Sequence, residues 1–403
     1  MTTDLIALPG GSTHPLLGPL SLSPTTTPPQ TSADAFDAAD DFLVHEFSRR
    51  NLPKGSRVLV VNDRYGALAV ALANDHEVTA YGDSFLSFRT TEANLLRNGR
   101  EARFVTSNDP LREAAGAPFE FVVARIPKSL ALFEAQLHAI REVVGESATV
   151  LCGGMEKHLS RRVNTLLDTL IGPSSASLGW HKARLIMAKA TLRGTATNPA
   201  VPPPSAPFPS TYILREPKTV PIVLTNHASV FSRNGLDQGT RALVPFLATY
   251  LGDSPEPQRP LRVADLGCGN GVMGILSALS NPEADYSFFD ESFMAVQSAK
   301  ESWHAAFPDR RATFVTGDAM ADTPDRWFDV ILCNPPFHQD HAVGDDTAWR
   351  MFLSAHRSLA AGGSLLVVGN RHLNYHNKLK RLFGGVEQLG GTTKFVVLHA
   401  RRP

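Results

Sequence analysis

The chain has 403 residues, 43% of them hydrophobic and 19% charged, which excludes a disordered or fibrous protein and suffices for two separate cores. Lys+Arg and Asp+Glu both number 39, so bulk charge announces no polyanionic partner, and any RNA contact must come from local basic patches. Three scattered cysteines, no basic leader and no apolar run near the roughly 20 residues that cross a bilayer argue against disulfides, structural zinc and membrane insertion. A cytoplasmic protein with no metal and no membrane partner, working as a monomer, is expected.

Residues 1–33 are rich in Pro, Thr and Ser and are expected to form a disordered tail, because they bury too little apolar surface to offset chain entropy. Residues 34–193 alternate strand and helix signals. Arg57 to Gly66 reads as a strand and its turn, Ala80 to Phe85 as a second strand end, and Phe121 to Lys128 as a third. Residues 194–210 hold Pro199, Pro202, Pro203, Pro204, Pro207 and Pro209 and are expected to be a semi-rigid linker.

Residues 211–403 give the clearer pattern. Strands are predicted at Leu261–Asp265, Asp285–Asp290, Ala312–Val315, Phe328–Cys333, Ser364–Gly369 and Thr393–His399. Helices are predicted from Gly271 to Ser280, Met294 to Phe307, Ala348 to Ala360 and Lys378 to Phe383. This alternation predicts an α/β fold with a mostly parallel sheet covered on both faces. The three N-terminal segments match Arg262 to Gly271, Phe288 to Phe293 and Asp329 to Pro336 in order and at nearly constant offset. A duplicated domain follows, with two tandem Rossmann-like sheets.

The N-terminal copy reads as degenerate. Asn62 and Arg64 replace Gly267 and Gly269, and Ile126 replaces Asn334. An arginine at 64 is expected to fill the space a ligand would need, leaving the first copy to hold substrate or to support the structure.

In the second copy Gly267, Gly269 and Gly271 form a G-x-G-x-G turn between strand and helix, where glycine permits close backbone approach to a ligand. A dinucleotide site would need G-x-G-x-x-G, but here the third glycine comes one residue early. Together with Asp265 this favours S-adenosylmethionine (SAM). Asp290, ending the second strand, has the position to accept both ribose hydroxyls, and Asp318 to accept the adenine amino group.

Asn334-Pro335-Pro336-Phe337 follows the buried run Val330–Cys333. A conjugated nitrogen is a poor nucleophile. Acceptors that take its N–H protons aim its lone pair at an electrophilic methyl group, and the Asn334 side-chain oxygen and the Pro335 carbonyl suit that task. Pro336 stiffens the turn, and Phe337 offers a stacking face. His338 and His341 form no convincing metal site. Cys333 reads as a buried strand residue.

These motifs, with Asn226-His227-Ala228, Asn370-Arg371-His372-Leu373 and Lys394–Leu398, resemble the bacterial ribosomal RNA guanine-N2 methyltransferases of the duplicated type. The resemblance runs from Ala35 to Arg401. It implies two tandem Rossmann-like class I methyltransferase domains with mostly parallel seven-stranded sheets, SAM contacts on Asp265, Gly267, Gly269, Gly271 and Asp290, target contacts on Asn334 to Phe337, and a guanine of ribosomal RNA, 23S by preference, as substrate. A 16S target, an adenine-N6 or glutamine-N5 methyltransferase, and a non-catalytic RNA-binding factor stay open.

Overall fold

The computed structural model describes residues 20–23, 35–191, 204–215, 221–250, 259–336 and 341–403, with the side chains of 248–250 and 341–345 left aside. The chain divides into two compact units between Pro207 and Phe208.

The first unit runs α1 (Ala38–Ser48), β1 (Arg57–Val61), α2 (Ala67–Leu72), β2 (Glu77–Gly82), α3 (Phe85–Arg97), β3 (Arg103–Thr106), α4 (Leu111–Ala115), β4 (Phe119–Arg125), α5 (Leu130–Arg141), β5 (Val144–Met155), α6 (Arg161–Leu170), β6 (Ser174–Ala176) and β7 (Ala183–Lys189). Its sheet order is β3-β2-β1-β4-β5-β7-β6, with β7 antiparallel to both neighbours. Leu20–Ser23, inside the stretch read as a tail, meets α3: Ser21 N donates to Asn98 Oδ1 at 3.0 Å and Ser23 N to Asn94 Oδ1 at 3.1 Å.

The second unit begins with a hairpin, β8 (Ser210–Leu214) and β9 (Ile222–Asn226), followed by α7 (Gln238–Tyr250). Then come β10 (Arg262–Leu266), α8 (Val272–Ser280), β11 (Asp285–Asp290), α9 (Phe293–Ala306), β12 (Thr313–Thr316), β13 (Phe328–Cys333), α10 (His341–Ser358), β14 (Leu359–Asn370), α11 (Tyr375–Phe383), β15 (Glu387–Gly391) and β16 (Phe395–Arg401). The order β12-β11-β10-β13-β14-β16-β15 repeats that of the first sheet, strand for strand. The expected α/β class and the duplication are both present.

Continuous apolar strands indicate sheets buried on both faces, and alternate residues do enter opposite layers. Val330 and Leu332 join Leu243 of α7 and Ile275 of α8. Ile331 and Cys333 join Phe352 of α10 and Leu379 of α11. In the first unit Leu59 and Val61 separate from Val58 and Val60 in the same way.

One detail explains which glycines survive duplication. Gly66 and Gly271 open α2 and α8 with φ of 85° and 79°. A Cβ there would lie 2.8 Å from the Thr91 Cα and 3.1 Å from the Ala299 Cα, both on the next helix. The third glycine of the turn therefore serves helix packing, and both copies keep it. Ser84 and Ser292 likewise cap α3 and α9 in equivalent places, each accepting a backbone N–H of the first turn, at 3.2 and 3.1 Å.

Several elements differ from the sequence reading. α10 starts at His341, not Ala348, and β15 and the β8–β9 hairpin join the predicted strands. α7 occupies a stretch in which the sequence predicts no element. Among the described residues no helix is long and apolar enough to cross a membrane.

Candidate active site

β10 and β13 are parallel neighbours with Leu266 level with Cys333. The turns that follow them must therefore emerge side by side at the C-terminal edge of the sheet, where ligands of α/β proteins bind. They do: a Cβ on Gly267 would stand 3.9 Å from the Asn334 carbonyl oxygen and 3.0 Å from Met351 Cε of α10. The two motifs singled out from sequence come side by side.

The glycine turn is fixed from the neighbouring strand. Gly267 N and Cys268 N both donate to the Phe289 carbonyl, at 2.8 and 3.0 Å. Gly269 N donates to Asp290 Oδ2 at 3.0 Å, and Ser292 N to Asp290 Oδ1 at 3.0 Å. Gly267 and Gly269 have φ of 75° and 55°, and nothing lies within 4 Å of a Cβ built on Gly269. Packing does not demand glycine at 269. Its positive φ favours one.

Asp265 is fully buried at the end of β10, where burial, helped by the charge of Asp290, pushes its carboxyl up to about 8. Its Oδ2 accepts from Gly274 N at 2.9 Å, while Oδ1 has no hydrogen-bond partner among the described residues. Buried unpaired acceptors are costly and uncommon. One beside a glycine cradle suits a ligand that brings donors or positive charge, as an aminoacyl sulfonium does. Asp318 is half-exposed and paired with Arg350 at 2.9 Å.

The Asn334 side chain is tied to α7. Its Nδ2 donates to Thr240 Oγ1 at 3.1 Å, and its Oδ1 is buried with no partner among the described residues. Pro335 is buried and Pro336 exposed. Phe337, with His338, Gln339 and Asp340, lies outside the described residues, as does the side chain of His341. Cys333 is fully buried and burial holds its thiol far above the usual range, so it is no thiolate nucleophile.

Thr240 was not singled out by sequence. It sits in the first turn of α7, held by Asp237, whose Oδ1 accepts from Gly239 N at 2.8 Å and from Thr240 N at 3.1 Å. Asp237 followed at once by helix-compatible residues is an N-cap signal, but nothing local links it to Asn334, 94 residues away. By taking the amide proton, Thr240 fixes which end of the Asn334 amide is free. Thr240→Val, nearly isosteric, is expected to lower kcat for the target by roughly fivefold to tenfold, the worth of one hydrogen bond. The KM for SAM should stay unchanged in steady-state assays.

The lead-in from β9 is tied to the same turns. Asn226 Oδ1 accepts from Asn270 Nδ2 at 2.8 Å, and the Ser229 and Ser292 hydroxyls are 2.8 Å apart. Arg233 Nη1 donates to the carbonyls of Ala228 and Val230 at 2.7 and 3.1 Å. Val230–Leu236 lines an open hollow.

The equivalent place in the first unit is closed from within, though not by the expected side chain. Arg64 is exposed and lies over the Tyr65 ring, 4.7 Å from its centroid. Asn62, at Gly267's position, instead bridges the two strand ends: its Nδ2 donates to the Arg125 carbonyl at 3.1 Å and exchanges amide bonds with Gln136 at 2.7 Å. Arg64 follows the turn outward, so its long side chain reaches solvent and an aromatic face more cheaply than a buried hollow. The Arg125 guanidinium pairs with Asp37 at 2.6 and 2.8 Å and with Asp40 at 2.8 Å. Asp37 caps α1 as Asp237 caps α7, and Asp40 stands three residues on, as Thr240 does. Burial works against the Arg125 charge, but Asp40 and Asp37 more than offset it. Gly82 ends β2 where Asp290 ends β11, so this copy has no acid at the place of Asp290.

A tandem pair of class I methyltransferase folds, one with a glycine turn beside the Asn334 turn and one with an ion cluster at the equivalent strand ends, defines the class. The model described as RLMG N-terminal domain matches residues 18–192, and that described as Methyltransferase small domain matches 221–399. The ribosomal RNA large subunit methyltransferase G of Pseudomonas fluorescens (strain Pf0-1) is 50% identical over 91% of this chain and 93% of its own length. That of Pseudomonas aeruginosa (strain UCBPP-PA14) is 50% identical over the same shares, 91% and 93%. The chain belongs to the ribosomal RNA large subunit methyltransferase G family. A T. thermophilus 16S rRNA N2 methyltransferase, solved in complex with AdoMet and guanosine, shares the fold over 91% of this chain and 92% of its own at a TM-score of 0.74 and 24% identity.

Proposed function

We propose that the second unit transfers a methyl group from SAM to the exocyclic N2 of a guanine in ribosomal RNA, 23S rRNA by family, in the cytoplasm. The observation that carries this reading is the buried, unpartnered Oδ1 of Asn334 beside the Gly267 turn. When bound, SAM supplies a methyl group made electrophilic by its sulfonium.

The residues that hold it are Asp265, Gly267, Gly269, Gly271, Asp290 and Asp318. The unpaired Asp265 oxygen takes a donor, Gly267 and Gly269 admit the ligand against the backbone, and Gly271 sets the angle of α8. Asp290, clamped by Gly269 N and Ser292 N, keeps acceptor capacity for ribose hydroxyls. Asp318, steadied by Arg350, offers an acceptor to the adenine amino group.

Asn334 Oδ1 and the Pro335 carbonyl accept the two N–H protons of the target amine and turn its lone pair toward the methyl group. Pro336 keeps both acceptors in line, and Phe337 stacks on the base. The methylated nitrogen is acidic enough to release its proton to water, so no strong base is needed. A duplex base must leave its stack to reach these acceptors. The sealed first unit is left to hold the RNA.

The test is mass spectrometry of ribosomal RNA nucleosides from a strain lacking the protein. Loss of one N2-methylguanosine from 23S rRNA is expected. Loss from 16S rRNA would move the target to the other subunit. Unchanged nucleosides in both would reject guanine N2 and favour a protein or adenine substrate.

A further inference from the structure

Among the described residues, Asn334 is one of two asparagines with a buried side-chain oxygen and no partner. The other is Asn370, the last residue of β14 and only 4% exposed. Its main chain pairs with Phe395 of β16. The register fixes where its side chain goes. β13 and β14 run parallel with Cys333 level with Val367, so Asn334 comes level with Val368. Val368 belongs to the layer formed with Leu243 and Phe395. Gly369 faces the other way, since a Cβ there would strike the Tyr375 ring. By strand alternation Asn370 returns to the Val368 side, which is also the side on which Asn334 meets Thr240.

The two side chains thus stand on one face, one strand apart and two residues out of step, with Cα atoms about 8 Å apart from strand spacing and rise. Phe395 closes this corner against the start of α7: a Cβ on Gly239 would lie 3.3 Å from the Phe395 ring. Two unpaired acceptors in one corner call for a ligand with two neighbouring donor groups, because each unpaired oxygen costs the free protein stability.

We propose that Asn370 is a specificity-determining residue, its Oδ1 accepting N1–H of the guanine whose N2 amine is held by Asn334; this rests on the methylation reading above. Guanine places N1–H next to its amino group, so both oxygens are satisfied by one Watson–Crick edge. Adenine places a lone pair at N1, which would face the Asn370 oxygen and be repelled. A site built around a donor rejects an analogue that lacks it far more strongly than a hydrophobic pocket does.

The experiment uses the full chain and an rRNA fragment carrying, at the guanosine found by the nucleoside analysis, either guanine or 2,6-diaminopurine. The latter keeps the 2-amino nucleophile but has an acceptor at N1. The wild-type protein should strongly prefer guanine. Asn370→Leu, which removes the oxygen at nearly constant size, should narrow that preference by roughly tenfold to a hundredfold, mainly through slower reaction with guanine. Asn370→Asp, which keeps an acceptor, should preserve it. Since Asn370→Leu also removes an unpaired buried oxygen, its melting temperature should equal or exceed that of the wild type, and SAM affinity should hold. Should it fail to fold, Asn370→Ala reads the same ratio. An unchanged guanine-to-diaminopurine ratio in a folded variant overturns the assignment of Asn370 alone. A wild-type protein that methylates neither base overturns the methylation reading, and this inference with it.

Discussion

Asn334→Ala is expected to lower methyl transfer to ribosomal RNA by roughly two to three orders of magnitude, the usual effect of removing one preorganised polar group at a reacting centre. SAM affinity should stay within about twofold, since the Asn334 side chain bonds Thr240 and no residue of the glycine turn. Stability should change little. The variant loses one hydrogen bond but also removes a buried oxygen that the free protein leaves unpaired. Single-turnover transfer of a labelled methyl group, beside calorimetric titration of SAM, separates the two quantities. Activity within tenfold of the wild type would show that the target amine is held elsewhere. The comparison with Thr240→Val then becomes informative. If Thr240 acts only by orienting the Asn334 amide, adding its substitution to Asn334→Ala should cost nothing more, a non-additivity expected of groups acting as one unit.

Much of this arrangement was legible in the sequence because its signals are local. β11 and β13 have the predicted bounds, Asp285–Asp290 and Phe328–Cys333, since each is a run of strand-forming residues closed by a polar turn residue. The duplication was readable from three strand-and-turn segments, and the shared sheet order bears it out. What escaped has physical reasons. α7 contains Pro245, a residue that argues against a helix interior. β15 contains Gly390 and Gly391 and carries a register shift, and glycine is depleted in strands. α10 begins at His341 in a segment with Gly344 and paired aspartates, a composition that reads as loop. The partners Thr240–Asn334 and Arg125–Asp40 are made only when distant segments meet, so no local pattern announces them. The sealing of the first unit was expected from Arg64 but is done by Asn62 and Arg125. Sequence shows which glycine is replaced, but not which way a long side chain turns.

Asp290→Ala should separate cofactor binding from chemistry in the opposite sense. Alanine removes the acceptors proposed for the ribose hydroxyls and releases Gly269 N, which now donates to Oδ2 at 3.0 Å, and Ser292 N, which donates to Oδ1 at 3.0 Å. Hydrogen bonds to a charged group are each worth about 1.5–3 kcal/mol, so SAM affinity is expected to fall by roughly a hundredfold in calorimetric titration. At saturating SAM, kcat should recover to within about tenfold, because Asn334 and Pro335 stay in place. Asp290→Asn should lie between the two, since its amide keeps one acceptor but turns a donor toward one of the two backbone N–H groups. Affinity within threefold of the wild type would place the ribose contact elsewhere. Were kcat to fall with affinity even at saturation, the clamp on Gly269 would matter to chemistry itself. That result is physically reasonable in this fold: the Asn334 carbonyl lies 3.9 Å from a Cβ built on Gly267, so a glycine turn that relaxes on one side moves against the acceptor turn on the other.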